Sequence, residues 1–224
     1  MRRELRLWFR LRHLNIVPLL GTARVGSPWP ALVYPWMPSG TLYVYLEEQA
    51  TTLSASTKVG LQVVFVIDAY AVHSKNVVHG DLQPANVLID SSGNPCLTGF
   101  GLATVVGDPE LQWNSTTAAC YFNSRWCAPE IIGIETDEPA RPTFASDIYA
   151  FGSLMFFVLT LLVPWHDISD YKVIEKVLRG EDISRPEKSV VTSDITDARW
   201  HQIEQCWSVD PSARPSALMA LDFL

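Results

Sequence analysis

The segment that most constrains this chain is Val78–Ile89, with the sequence VHGDLQPANVLI, and the turn that follows it. Val87-Leu88-Ile89 is a short apolar run, and Ser91-Ser92-Gly93-Asn94 supplies turn residues that lead back to Pro95–Thr98. Run, turn and run read as a hairpin. Asn76–Asp90 holds a loop and this strand, and Asp81 and Asn86 stand five residues apart there.

Elsewhere the pattern is mostly helical. Residues 3–12 read as a helix with Leu5, Trp8 and Phe9 on one side. Asn15–Leu20, closed by Gly21, is expected to be a strand, and Pro30–Tyr34 another, ended by Pro35 and the turn Pro38-Ser39-Gly40. Thr41 is placed to cap a short helix. Ser54–His73 is apolar on several faces and reads as a buried helix. Gly99–Glu130 has little periodicity and reads as a long surface loop, and Glu135–Pro142 as another. Helices are expected over 144–161, 170–179, 196–207 and 214–223. Few strands, all early, followed by many helices give an α+β domain dominated by helices.

Length and charge narrow the possibilities. The 224 residues, 48% hydrophobic and 18% charged, suffice for one compact domain with a substantial core. A net charge of −7 offers no electrostatic footprint for nucleic acid or an anionic membrane. The most apolar run, Phe151–Trp165, falls short of the roughly 20 residues of a spanning helix and contains Pro164, so it reads as a buried central helix. The charged N-terminus lacks a signal-peptide apolar block. Cys96, Cys120, Cys127 and Cys206 form no C-x-x-C pair. Reduced thiols in a cytoplasmic protein are the expectation.

Six motifs fall together in one order: Leu11-Arg12-His13-Leu14-Asn15-Ile16-Val17, Val78–Ile89, Gly99-Phe100-Gly101, Ala128-Pro129-Glu130, Asp147–Gly152, and Cys206-Trp207 with Asp210–Pro215. In order and spacing they resemble the eukaryotic protein kinase family across almost the whole chain. The wording Arg125–Glu130 resembles its tyrosine-kinase-like branch. The resemblance implies a protein kinase-like fold. Asp81 would be the base that accepts a substrate hydroxyl proton, and Asn86 a magnesium ligand. Met37, Asn86 and Leu88 would border ATP, with Tyr34 as gatekeeper. Structural roles carry over to Glu4, the residue that pairs with a third-strand Lys, and to Asp147, which braces the loop backbone. Glu130 and Arg214 would form an ion pair, and Trp8, Leu19, His79 and Phe100 an apolar stack. ATP and magnesium are the cofactors implied, and a protein the substrate or partner.

The chain also departs from that pattern. It opens inside the family's regulatory helix, so the glycine-rich loop and the third-strand Lys have no counterpart, and no G-x-G-x-x-G occurs. Residues 1–36 are therefore expected to be a remnant of the N-terminal lobe and 37–224 the C-terminal lobe of a single domain. Gly99 replaces the metal-binding Asp, leaving Asn86 as the metal ligand. Gln83 replaces a Lys that meets the transferred phosphate, and Gly80 an Arg that clamps a phosphorylated loop. The expectation is ATP-dependent phosphorylation of protein Ser, Thr or Tyr hydroxyls, impaired in this chain. The alternative is a pseudokinase acting as a protein-interaction module, or a non-functional fragment.

Overall fold

A computed structural model describes residues 2–26, 30–49, 52–108, 110–111, 123–132, 141–187 and 195–221. The chain starts with α1 (Arg2–Arg10). Its buried face is Leu7 and Trp8, continued by Leu11, rather than Leu5, Trp8 and Phe9: Phe9 is 51% exposed. Positions i, i+1 and i+4 lie within one stripe of a helix, so either set satisfies the period, and packing decides between them.

The expected strand over Asn15–Leu20 is not one. Pro18 has no N–H to give to a ladder, and the run instead lies extended beside the later hairpin. Val17 N–H donates to Leu97 O at 2.9 Å and Leu97 N–H to Asn15 O at 2.7 Å. The strand begins where a closing glycine was expected. β1 (Gly21–Ala23) pairs antiparallel with β2 (Ala31–Val33), Gly21 opposite Val33.

The next elements follow the sequence closely. α2 (Leu42–Gln49) is capped by Thr41, whose hydroxyl accepts from Val44 N–H at 3.3 Å. α3 (Ala55–His73) is capped by Ser54, whose hydroxyl accepts from Thr57 N–H at 3.1 Å. After β3 (Val77–Val78) and the loop, β4 (Val87–Ile89) pairs antiparallel with β5 (Pro95–Leu97). The segment expected to be all loop after Gly99 contributes β6 (Thr104–Val105), antiparallel to β3. Two residues are too few to leave a periodic signature. Residues 112–122 and 133–140 lie outside the described residues, and with them Cys120 and most of the loop expected at Glu135–Pro142.

The second half is helical: α4 (Pro129–Ile132), α5 (Phe144–Thr160), α6 (Asp170–Leu178), α7 (Asp197–Cys206) and α8 (Ala217–Leu221). The helix expected over 214–223 begins later, at Ala217. A 3-10 turn at Pro211–Ala213 precedes it, because Pro211 and Pro215 interrupt the helical ladder. α5 starts with a capping box in which Thr143 and Ser146 each accept the other's backbone N–H, at 3.0 and 2.8 Å. From Ser146 onward nearly every α5 residue is buried. A Cβ on Gly152 would sit 2.6 Å from Cys206 Cβ, so glycine is what lets α5 and α7 approach. One core cluster runs from Leu7 in α1 to Ala220 in α8. The architecture is α+β with helices dominant. Among the described residues no helix is long and apolar enough to cross a membrane.

Candidate functional site

The loop between β3 and β4 is held from beneath by one buried carboxylate. Asp147, on the first turn of α5 and 2% exposed, accepts from His79 N–H at 2.7 Å and from His73 Nε2 at 2.9 Å through Oδ2. Its Oδ1 accepts from Gly80 N–H at 2.8 Å. A buried carboxylate is stable only when its lone pairs are filled, and three donors fill them here. Gly80 has φ +77, and a Cβ there would lie 2.9 Å from Pro142 Cγ and 3.1 Å from Leu102 O. The position is built for glycine and leaves no space for an arginine stem.

His79 fixes the other side of the loop. Its Nε2 donates to Thr98 O at 2.8 Å, and Nδ1 accepts from Asp81 N–H at 3.2 Å. Those partners select the Nε2-protonated tautomer. The ring also stacks on Phe100, centroids 4.9 Å apart, and Phe100 on Trp8 at 5.4 Å. Trp8 Nε1 donates to Val17 O at 2.7 Å. Three members of the expected four-residue stack are thus in contact; Leu19 is partly buried against the same core.

Asp81 then faces the cleft, and amides surround it. Oδ1 accepts from Gln83 Nε2 at 2.7 Å and from Asn123 Nδ2 at 2.8 Å. Oδ2 accepts from Asn86 Nδ2 at 2.7 Å, and the same nitrogen donates to Asp81 O at 2.8 Å. All the donors are neutral. Among the described residues no side-chain cation pairs with Asp81, which agrees with glutamine at 83.

A hard dication prefers anionic oxygens, and this donor set does not fit one. Asn86 uses its nitrogen on Asp81 and offers only a neutral amide oxygen. Gly99 offers no side chain. Moreover, Gly99 has φ +79, and a Cβ built on it falls well inside contact distance of Asn86 Cγ and Oδ1, with Nδ2 at 2.8 Å. The Asn86 amide occupies the space that a residue-99 side chain would need. Among the described residues no cluster of His, Cys, Asp or Glu is arranged to hold a metal.

Met37 and Leu88 are partly buried against the main core, and Tyr34 lies 6.2 Å from Trp8 by ring centroids. Glu4 Oε1 lies 3.7 Å from the position of a Cβ on Gly101, and no ion pair of Glu4 occurs among the described residues. Glu130 and Arg214 form a forked pair, Nη1 to Oε1 at 2.6 Å and Nη2 to Oε2 at 2.8 Å. The arginine side chain is fully buried and that of Glu130 26% exposed. Arg214 also donates to Ser208 O and Ala145 O and lies 5.1 Å from the Tyr149 ring centroid. Burial pushes the Tyr149 phenol well above its ordinary pKa, with Arg214 pulling the other way.

Two residues of the site were missed in the sequence: His73 and Asn123. His73 ends α3 as one more residue of an apolar helix. Asn123 sits in a polar stretch without periodicity. Their partners are 74 and 42 residues away, and only the fold supplies that proximity.

A family model described as protein tyrosine and serine/threonine kinase matches residues 1–224. A Raf homolog serine/threonine-protein kinase of Caenorhabditis elegans is 26% identical over 209 residues, 92% of this chain and 25% of the relative. Tyrosine-protein kinase SPK-1 of Girardia tigrina is 28% identical, covering 96% of this chain and 43% of the relative. Serine/threonine-protein kinase CTR1 of Arabidopsis thaliana is 28% identical, covering 99% and 26%. The chain therefore spans between a quarter and under half of the length of these relatives.

Proposed function

Because the chain belongs to the protein tyrosine and serine/threonine kinase family, we propose that the cleft at Asp81 is a site of phosphoryl transfer to protein hydroxyl groups, impaired in this chain. The observation that carries the reading is the braced loop: Asp147 fixes the His79 and Gly80 amides, and Asp81 projects beyond them. In this role Asp81 accepts the proton of a serine, threonine or tyrosine hydroxyl, Gln83 and Asn123 hold its Oδ1, and Asn86 holds its Oδ2. ATP, when bound, supplies the transferred phosphoryl group, with Met37 and Leu88 bordering its adenine. Magnesium does not fit the donor set, so no step is assigned to it.

The impairment has a size. Phosphoryl transfer works by positioning and by neutralising charge. Removing one preorganised charge-stabilising donor typically costs about 2.7–4 kcal/mol, and this cleft lacks both a carboxylate at 99 and a cation at 83. Even one such loss slows a reaction by a factor of about a hundred. At the finer level we read residues 1–224 as one domain of the tyrosine-kinase-like branch, acting in the cytoplasm. Residues 1–36 would belong to its upper lobe, and Glu130, Asp147 and Arg214 would serve structural roles.

Phosphate transfer from radiolabelled ATP to a panel of Ser-, Thr- and Tyr-containing peptides, with Asp81→Asn alongside, tests the reading. Turnover should be close to background, and whatever remains should vanish in Asp81→Asn. Robust turnover that Asp81→Asn leaves intact would contradict the assignment of the base. Robust turnover that Asp81→Asn abolishes would contradict the impairment. No transfer to any peptide would leave the pseudokinase reading in place.

A further inference from the structure

Helix α1 meets the segment after Phe100 twice. Trp8 supplies the apolar contact, stacked on Phe100. Arg3, five residues earlier, supplies a polar one. Its Nη1 donates to Ala103 O at 2.7 Å and to Leu111 O at 3.3 Å, and its Nη2 to Ala103 O at 2.6 Å and Gly101 O at 3.1 Å. One guanidinium therefore spans three carbonyls, which requires its rigid fork; an ammonium presents one point of charge.

The gripped segment is itself folded. Leu111 N–H donates to Asp108 O at 3.1 Å, Val105 N–H to Leu111 O at 3.3 Å, and Val106 N–H to Asn76 O at 2.8 Å. The Leu111 side chain is only 2% exposed. Two further arginines on α1 reach the same segment, Arg6 to Glu110 at 3.4 Å and Arg10 to Asp108 at 3.5 Å. Both arginine side chains are about two-thirds exposed, so water and salt screen those pairs. Burial lowers the Arg3 pKa from its ordinary value, with Glu4 raising it, and the group stays protonated at neutral pH.

We propose that Arg3 is a positioning residue. Its forked grip on the carbonyls of Gly101, Ala103 and Leu111 joins α1 to the Gly99-Phe100-Gly101 turn and holds Phe100 in its stack. Glu4, its neighbour on α1, makes no ion pair among the described residues. The position of the helix is then set from the segment below it, through backbone carbonyls whose recognition does not depend on that segment's side chains. Nothing in this role requires the cleft to transfer phosphoryl groups, so it stands or falls separately from the proposed activity.

Hydrogen exchange followed by mass spectrometry on the 224-residue chain tests it, with Arg3→Met, Arg3→Lys and the double variant R6Q/R10Q. Arg3→Met should speed exchange of the Val105, Val106 and Leu111 amides by about tenfold or more, while residues 146–158 of α5 exchange as in the unmodified chain. Arg3→Lys should recover only part of that protection, and R6Q/R10Q should change it by less than about twofold. Unchanged protection of residues 103–111 in Arg3→Met would overturn the proposal. So would equal acceleration in α5, which marks a general loss of stability, or R6Q/R10Q matching Arg3→Met. Should Arg3→Met fail to fold, Arg3→Lys decides alone: full protection there means that charge suffices and the fork is not what holds the segment.

Discussion

An aspartate at position 99 would bring its Cβ into the Asn86 amide, on a backbone whose φ of +79 suits glycine. Restoring a carboxylate by that single change is what the motif invites, and the geometry opposes it. Left-handed backbone costs a non-glycine residue about 1–2 kcal/mol, less for aspartate than for most. Displacing Asn86 breaks its hydrogen bonds to Asp81, each worth about 1 kcal/mol. At about 2–4 °C per kcal/mol for a chain of this size, Gly99→Asp should therefore lower the melting temperature by about 6–16 °C, and Gly99→Asp with Asn86→Ala should regain part of the loss, as differential scanning fluorimetry would show. A Gly99→Asp chain as stable as the parent would mean that Asn86 swings away freely. At this scale Asp81, Asn86 and Asp147 were legible, since each sits at a fixed offset inside a motif. His73 and Arg3 were not, because each acts on a partner more than 70 residues away.

Elements were legible where their signals are local. Thr41 caps α2 as a hydroxyl at that position should, and the hairpin follows from its turn residues. The failures share a cause. Asn15–Leu20 has the composition of a strand, yet its partner is set by tertiary docking, while β6 is two residues long and exists only because β3 lies beside it. The pair that ties α4 to the segment before α8 tests how these helices hold together. Glu130→Gln leaves Arg214 a fully buried cation whose other partners are the carbonyls of Ser208 and Ala145. Breaking a buried pair costs about 3–5 kcal/mol. Glu130 is partly exposed, so about 3 kcal/mol is expected, read from the urea midpoint. A loss under about 1 kcal/mol would show that the two carbonyls alone satisfy the arginine.

Across the whole molecule, the proposed function separates the scaffolding of the site from its chemistry. The core cluster, the Asp147 carboxylate under the loop, the contacts of Trp8, Phe100 and His79, and the Glu130–Arg214 pair together form a continuous support. In the proposed reading, the positions that would meet a metal and a phosphate hold Gly99 and Gln83, and the amides of Gln83, Asn86 and Asn123 are all hydrogen-bonded to Asp81. Calorimetric titration of the chain with ATP, with and without magnesium, measures that separation directly. Binding should be weak, and magnesium should leave it unchanged. A dissociation constant near 1 μM, about −8.2 kcal/mol, that appears only with magnesium would contradict it: the cleft would then hold the metal without a carboxylate at position 99.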